Sequence, residues 1–261
     1  MDWHKKYVPA NGYTAIIAPS PEGLEYITFG ILHLQAGESY EKYSAQDELG
    51  LILVTGKCKL TAGNQRFGEI GRRSSFFSGK ATSAYIPPHT ECVIKAVSDL
   101  EMVIGSVPAE AAGKPTIVRP GSVVSKYLGH GPMRRRVDFL IYNQVPASHI
   151  IVGETVHTSG GWSGYPPHKH DQDNEPVESA NEEVYLVKIE PPQGFGFLAI
   201  YDNESLDEAY RVKNNDIIAI PRGYHPMVAA PGYKVGFIWF MAGKKRQWKP
   251  ATDPDHAWVA D

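Results

Sequence analysis

Two stretches decide the fold: Asp47-Glu48-Leu49-Gly50-Leu51-Ile52-Leu53-Val54 and Asn181-Glu182-Glu183-Val184-Tyr185-Leu186-Val187-Lys188. Each is a short, almost continuous apolar run opened by acid, the length of a buried strand rather than of a helix. A shift of 134 residues lays the first on the second, and the same shift lays Tyr85-Ile86-Pro87-Pro88 on Ala219-Ile220-Pro221-Arg222. One offset shared by separated segments, close to half of a 261-residue chain, points to a duplicated β unit. Working outward, further strand-like runs fall at 26–34, 92–97 and 102–107, then at 150–156, 195–200, 217–220 and 235–240. The 25 glycines and 20 prolines punctuate them, and long amphipathic helices are absent. Residues 205–210 read as either a helical turn or a loop. The expected fold is all-β, with 108–133 as a connection lying against the two halves.

Composition narrows the function. At 42% apolar and 21% charged residues the chain is an ordinary folded protein, and a net charge of −3 argues against sequence-blind nucleic-acid binding. The run Arg134-Arg135-Arg136 reads in that context as a solvated strand end or a subunit contact. Cys58 and Cys92 stand singly, outside any CxxC pair, and are expected to be buried thiols. The first residues carry no apolar signal core, and no run reaches the roughly 18 apolar residues of a membrane span. A cytoplasmic protein with no membrane partner is expected. No GxGxxG, Walker loop or GxSxG elbow is present, so nicotinamide chemistry has no support.

The chemistry gathers in the second half. His168 and His170 stand two apart, so an extended backbone projects both imidazoles to one side. A carboxylate from the Glu182-Glu183 pair and a third imidazole, His225 of Pro221-Arg222-Gly223-Tyr224-His225-Pro226, complete a mixed nitrogen and oxygen set suited to a borderline divalent ion. Under the shift of 134, Leu49 and Glu91 take the places of Glu183 and His225, which leaves the first half without the imidazoles.

The order HxH, Glu, Gly, then PxG and His resembles the double motif of the cupin superfamily. More closely, Trp162-Ser163-Gly164-Tyr165-Pro166-Pro167-His168-Lys169-His170-Asp171 and the PRGYHP segment resemble the 5-deoxy-glucuronate isomerases of inositol catabolism; Gly71-Arg72-Arg73-Ser74-Ser75-Phe76-Phe77 fits them in the first half. The resemblance implies a bicupin of two tandem antiparallel β-barrel (jelly-roll) domains, 1–120 without metal ligands and 121–261 with them. It implies one divalent ion per chain (Zn, Mn, Fe or Ni) held by His168, His170, Glu183 and His225. Glu183 is preferred to Glu182 because the family's ligand precedes a Val/Ile-Tyr pair. The implied reaction converts 5-deoxy-D-glucuronate to 5-dehydro-2-deoxy-D-gluconate. Tyr185, on the strand face of Glu183, is the candidate catalytic group. Arg222 and Arg246 are candidates for the substrate carboxylate, and a homo-oligomer is expected. The competing readings are a uronate ketol-isomerase of pectin breakdown, a cupin metal dioxygenase and a non-enzymatic sugar-binding bicupin. The loop between His170 and Glu183 is longer than general cupin spacing, and PRGYH is one residue shorter between its Gly and His.

Overall fold

The computed structural model describes residues 3–110 and 113–260. The chain folds into β-strands with short 3-10 turns, and no helix among the described residues is long and apolar enough to cross a membrane. Four principal antiparallel sheets hold the strands in two pairs. A six-stranded sheet runs Thr116–Val118, Thr82–Ile86, Asp47–Thr55, Leu100–Pro108, Thr28–Leu34, Gly12–Ile17, and is accompanied by a four-stranded sheet of Ser39–Tyr43, Glu91–Ala96, Cys58–Ala62 and Gln65–Ile70. A seven-stranded sheet runs His4–Lys6, Asp216–Ile220, Glu182–Glu190, Lys234–Ala242, Ile150–His157, Arg135–Ile141, Val124–Leu128. Its four-stranded companion holds Trp162–Ser163, Met227–Ala229, Phe195–Tyr201 and Asp207–Lys213. The segment 205–210 is therefore largely strand, because Ala209 and its neighbours pair along Phe195–Tyr201. Parts of 108–133 join both large sheets, through Thr116–Val118 and Val124–Leu128.

Alternation along Asp47–Thr55 explains why its apolar run is continuous. Leu49, Leu51 and Leu53 enter a core shared with Leu32, Leu60 and Ile94, between the two sheets of the first half. Ile52 and Val54 face the other way, into a core that joins Phe29 and Val103 to Ile150, Phe237 and Phe240 of the seven-stranded sheet. A strand buried on both faces has no polar side. The large sheets meet where Gly50 and Gly105 pair in register, leaving a dimple for the ring of Phe240. A Cβ on Gly105 would lie 2.3 Å from that ring. Cys58 and Cys92 are buried free thiols in the first core.

Polar bonds tie the halves together at their edges. The carboxylate of Glu182 accepts the backbone N–H groups of Glu25, Tyr26 and Ile27 at 2.6, 2.8 and 2.6 Å. Glu48 does the same for Ser148, His149 and Ile150, at 2.7, 2.7 and 2.8 Å. Glu48 and Glu182 are the one identity in the two opening stretches, and both reach from one large sheet to the chain entering the other. Arg73 and Glu154 make a buried bidentate pair at 2.8 and 2.6 Å, and Lys188 pairs with Glu101. His157 is buried against Phe237.

Candidate metal centre

Three elements bring the imidazoles together. His168 and Lys169 form a short strand paired with Ala251–Thr252. Lys169 turns away from the imidazoles to bond Asp171 at 2.6 Å and Glu178 at 2.9 Å. Asp171 in turn accepts the N–H of Gly223 at 2.7 Å, so the HKHD and PRGYH segments hold each other. Glu178 also accepts the N–H groups of Asp171 and Gln172, which orders the long loop ahead of Glu183. Gly223 has φ of +91°, and a Cβ there would lie 2.8 Å from the Tyr201 carbonyl; only glycine makes the turn that aims His225 inward.

The nitrogens of His168, His170 and His225 lie within 4.8 Å of one another, and they form the only such group of three or more His, Cys, Asp or Glu among the described residues. His170 and His225 each use Nδ1 on a backbone carbonyl, Asn181 at 2.9 Å and Gly223 at 2.8 Å, which leaves Nε2 facing the centre. Outer partners of this kind fix the ring and tautomer of metal-binding histidines. Glu183 Oε2 stands 3.3 Å from Nε2 of His170 and 3.4 Å from Nε2 of His225. Both Glu183 Oε2 and His225 Nε2 are buried without a hydrogen bond, as atoms converging on a shared cation would be. The three imidazoles form a site for one divalent ion, of the kind borderline metals favour.

The electrostatics fit the same use. Burial, then the neighbouring imidazoles, push His168 well below the usual histidine range. For Glu183, burial is outweighed by the adjacent His170 and His225 imidazoles, which bring it down to about 2. Neutral imidazoles and an ionised carboxylate are the forms that bind metal. Tyr185 shares Glu183's face, stacks on Phe237 at 4.2 Å and is pushed well up by burial and then by the Glu183 charge. Consecutive strand residues face opposite ways, so Glu182 points to the first half while Glu183 points to the imidazoles.

The cavity above the cluster is lined by His168, His170, Glu183 and Tyr185, by Phe237, Trp239, Met241 and Trp248, and by Leu128, Arg135 and Val137. Arg222 and Arg246 are not brought to it. Arg222 pairs with Asp202 outside, and Arg246 donates to the carbonyls of Ile150 at 2.8 Å and Tyr142 at 2.5 Å. Arg135 is on the wall instead, although its basic run reads in sequence as a solvated strand end. The available signal was alternation: Arg135 and Val137 share a face and Arg136 does not, pairing with Asp138. A larger cavity, about 920 Å³, lies elsewhere, lined by Gln46, Pro108, His149 and Lys244.

The scaffold and the cluster define an all-β, cupin-like protein with a site for one metal ion. The chain belongs to the KduI/IolB family, whose model matches residues 4–259. It is 36% identical over 252 residues to the 5-deoxy-glucuronate isomerase of Geobacillus kaustophilus, covering 96% of this chain and 91% of that one. The enzyme of the same name from Bacillus subtilis strain 168 is 36% identical over 248 residues, covering 94% and 92%. An IolB-like protein of Salmonella typhimurium superposes with a TM-score of 0.96 at 33% identity, over 100% of both chains. The oxalate decarboxylase of Lactobacillus farciminis, at 10% identity and a TM-score of 0.71 over 97% and 88% of the chains, shares the fold alone.

Proposed function

We propose that this chain is a metal-dependent aldose–ketose isomerase that converts 5-deoxy-D-glucuronate to 5-dehydro-2-deoxy-D-gluconate in inositol catabolism. The observation that carries the reading is a converging imidazole cluster in a chain 36% identical, nearly end to end, to a 5-deoxy-glucuronate isomerase. His168, His170 and His225 would hold the ion, with Glu183 as fourth ligand. When bound, the ion would supply Lewis-acid polarisation of the substrate's oxygens.

The chain's own residues do the rest. The reaction moves a hydrogen from C2 to C1 with no net redox change. The Tyr185 hydroxyl keeps its proton, since burial and Glu183 raise its pKa, and so it suits donation to a substrate oxygen better than abstraction from carbon. Phe237, Trp239, Met241 and Trp248 wall the reacting end from water. At about 40 Å³ the cavity takes an ion and its waters as it stands. Leu128, which ends the sheet-edge strand Val124–Leu128, forms part of its wall.

The same reading takes the two sheet pairs as two tandem jelly-roll barrels, a bicupin divided near 1–120 and 121–261; the pairing of each large sheet with a four-stranded one supports it. A homo-oligomer in the cytoplasm belongs to the reading, supported by exposed Phe195 and Phe197 and by two unpaired thiols, with a sugar acid rather than nucleic acid as partner. The test is a coupled assay of the purified protein on 5-deoxy-D-glucuronate, before and after chelation, with His225→Ala alongside. Turnover lost in both treatments supports the function and the centre. Turnover of a pectin-derived uronate alone, or oxygen uptake, replaces the function.

A further inference from the structure

We propose that Arg135 is the receptor for the substrate carboxylate and so the residue that makes the site select a sugar acid. The inference rests on the isomerase reading above. Arg135 opens the strand Arg135–Ile141 and lines the cavity that holds His168, His170 and Glu183. Its hydrogen bonds all leave from Nη1, to the carbonyls of Met133 at 3.1 Å and Tyr165 at 3.4 Å. Those two carbonyls fix the guanidinium plane, while Nε and Nη2 make no hydrogen bond among the described residues.

No carboxylate of the described residues pairs with Arg135. The neighbouring cations are differently placed: Arg73 is spent on Glu154, Arg136 on Asp138, Arg222 on Asp202 and Lys169 on Asp171 and Glu178. A half-buried guanidinium without an anion is costly, and a bidentate carboxylate is the ligand that matches its fork. Leu128 stands directly across the strand pair from Arg135, and Val137 follows two residues along the same face. Both are apolar, so an anion there meets Arg135 in a medium that strengthens the attraction. An open-chain acid with C1 and C2 at the imidazole cluster carries its carboxylate at the far end of the molecule, where such a receptor is needed. Arg222 and Arg246, tied up outside the cavity, are not available for this role.

The experiment compares wild type, Arg135→Met and Arg135→Lys as metal-loaded proteins. Steady-state rates are measured on 5-deoxy-D-glucuronate and on its neutral analogue with a C6 alcohol; calorimetry measures binding of the acid reduced at C1, which cannot isomerise. Arg135→Met is expected to raise KM and the calorimetric Kd for the acid about 10- to 100-fold, the value of a hydrogen-bonded charge. The neutral analogue and the metal content should be unchanged. Arg135→Lys keeps the charge and loses the fork, so a smaller rise is expected, and this variant serves if the methionine variant does not fold. An unchanged Kd for the acid, or equal losses on acid and neutral analogue, overturns the proposal. Wild type that binds the acid through Arg135 yet does not isomerise it would sink the isomerase reading while leaving the carboxylate receptor standing.

Discussion

Adjacent glutamates with opposite duties allow a sharp test. Glu182→Ala removes the acceptor of three N–H groups at 2.6, 2.8 and 2.6 Å, on residues 25–27 entering the six-stranded sheet. Bonds to a charged acceptor are worth about 1.5–3 kcal/mol each. Truncation also relieves the desolvation of a carboxylate that is only 9% exposed, several kcal/mol in the other direction, and a net loss of about 3 kcal/mol remains. In urea this lowers the midpoint by about 1 M for a chain of this size. Glu182→Gln should cost less, because one oxygen can still take Tyr26 and Ile27, while its amide faces the N–H of Glu25. Both variants keep their metal. Glu183→Ala reverses the pattern: the metal-free fold is nearly as stable, and the ion is lost on dialysis. Urea melts of the metal-free proteins, paired with metal analysis after dialysis, decide it. If Glu182→Ala sheds the ion while Glu183→Ala retains it, the assignment by strand parity is wrong.

The other expectations are quickly tested. Acidification should strip the ion: His170, where burial is outweighed by Glu183, has a raised pKa, so protons begin to compete above the ordinary histidine value of 6.5, whereas Glu183 near 2 stays ionised; metal retention against pH reads this directly. His157 is lowered to about 4 by burial, so the unfolded chain binds that proton first, and stability should fall as pH drops from 6.5 towards 4, by about 3 kcal/mol in total; His157→Phe should flatten that limb of the melt-versus-pH curve. Gly105→Ala places a methyl 2.3 Å from the Phe240 ring and should cost about 1–3 kcal/mol, part of it restored when Phe240→Leu is added. Arg222→Ala, outside the cavity, should leave KM unchanged in the coupled assay.

Much of the fold was legible because its strands are buried. The runs at 49–54, 183–189 and 235–240 have no solvent face, and their apolar continuity survives in the sequence. What escaped was made by distant pairing. His-Lys-Lys at 4–6 has no strand signal and becomes one only by adding to Asp216–Ile220. Ser39–Tyr43 and Gln65–Ile70 are exposed edges whose polar residues resemble loop. At the site, the histidine spacing was readable because extended backbone fixes it locally. The carboxylate receptor was not: Arg135 differs from Arg134 and Arg136 only in the face it occupies, and that depends on where the strand begins. The offset of 134 carried a meaning that composition could not supply, since Glu48 and Glu182 match as fasteners between the large sheets rather than as ligands.

That N-terminal strand also binds the first residues to the chemistry. Asp216–Ile220 leads straight into Pro221-Arg222-Gly223-Tyr224-His225, so whatever steadies it steadies an imidazole. His4 Nε2 lies 2.6 Å from Asp216 Oδ2, the Trp3 carbonyl accepts the N–H of Ala219 at 2.8 Å, and the Trp3 ring is 4% exposed. Trp3→Ala should therefore cost about 3–5 kcal/mol. Because the loss falls on the edge beside Glu182–Glu190, amide exchange should quicken along Asp216–Ile220 before it does in the six-stranded sheet. Metal should leave the variant faster than wild type, although no ligand has been touched. Uniform exchange across both large sheets, with unchanged metal release, would mean that Trp3 only fills space and that His225 is held entirely by the Asp171–Gly223 bond and its own turn.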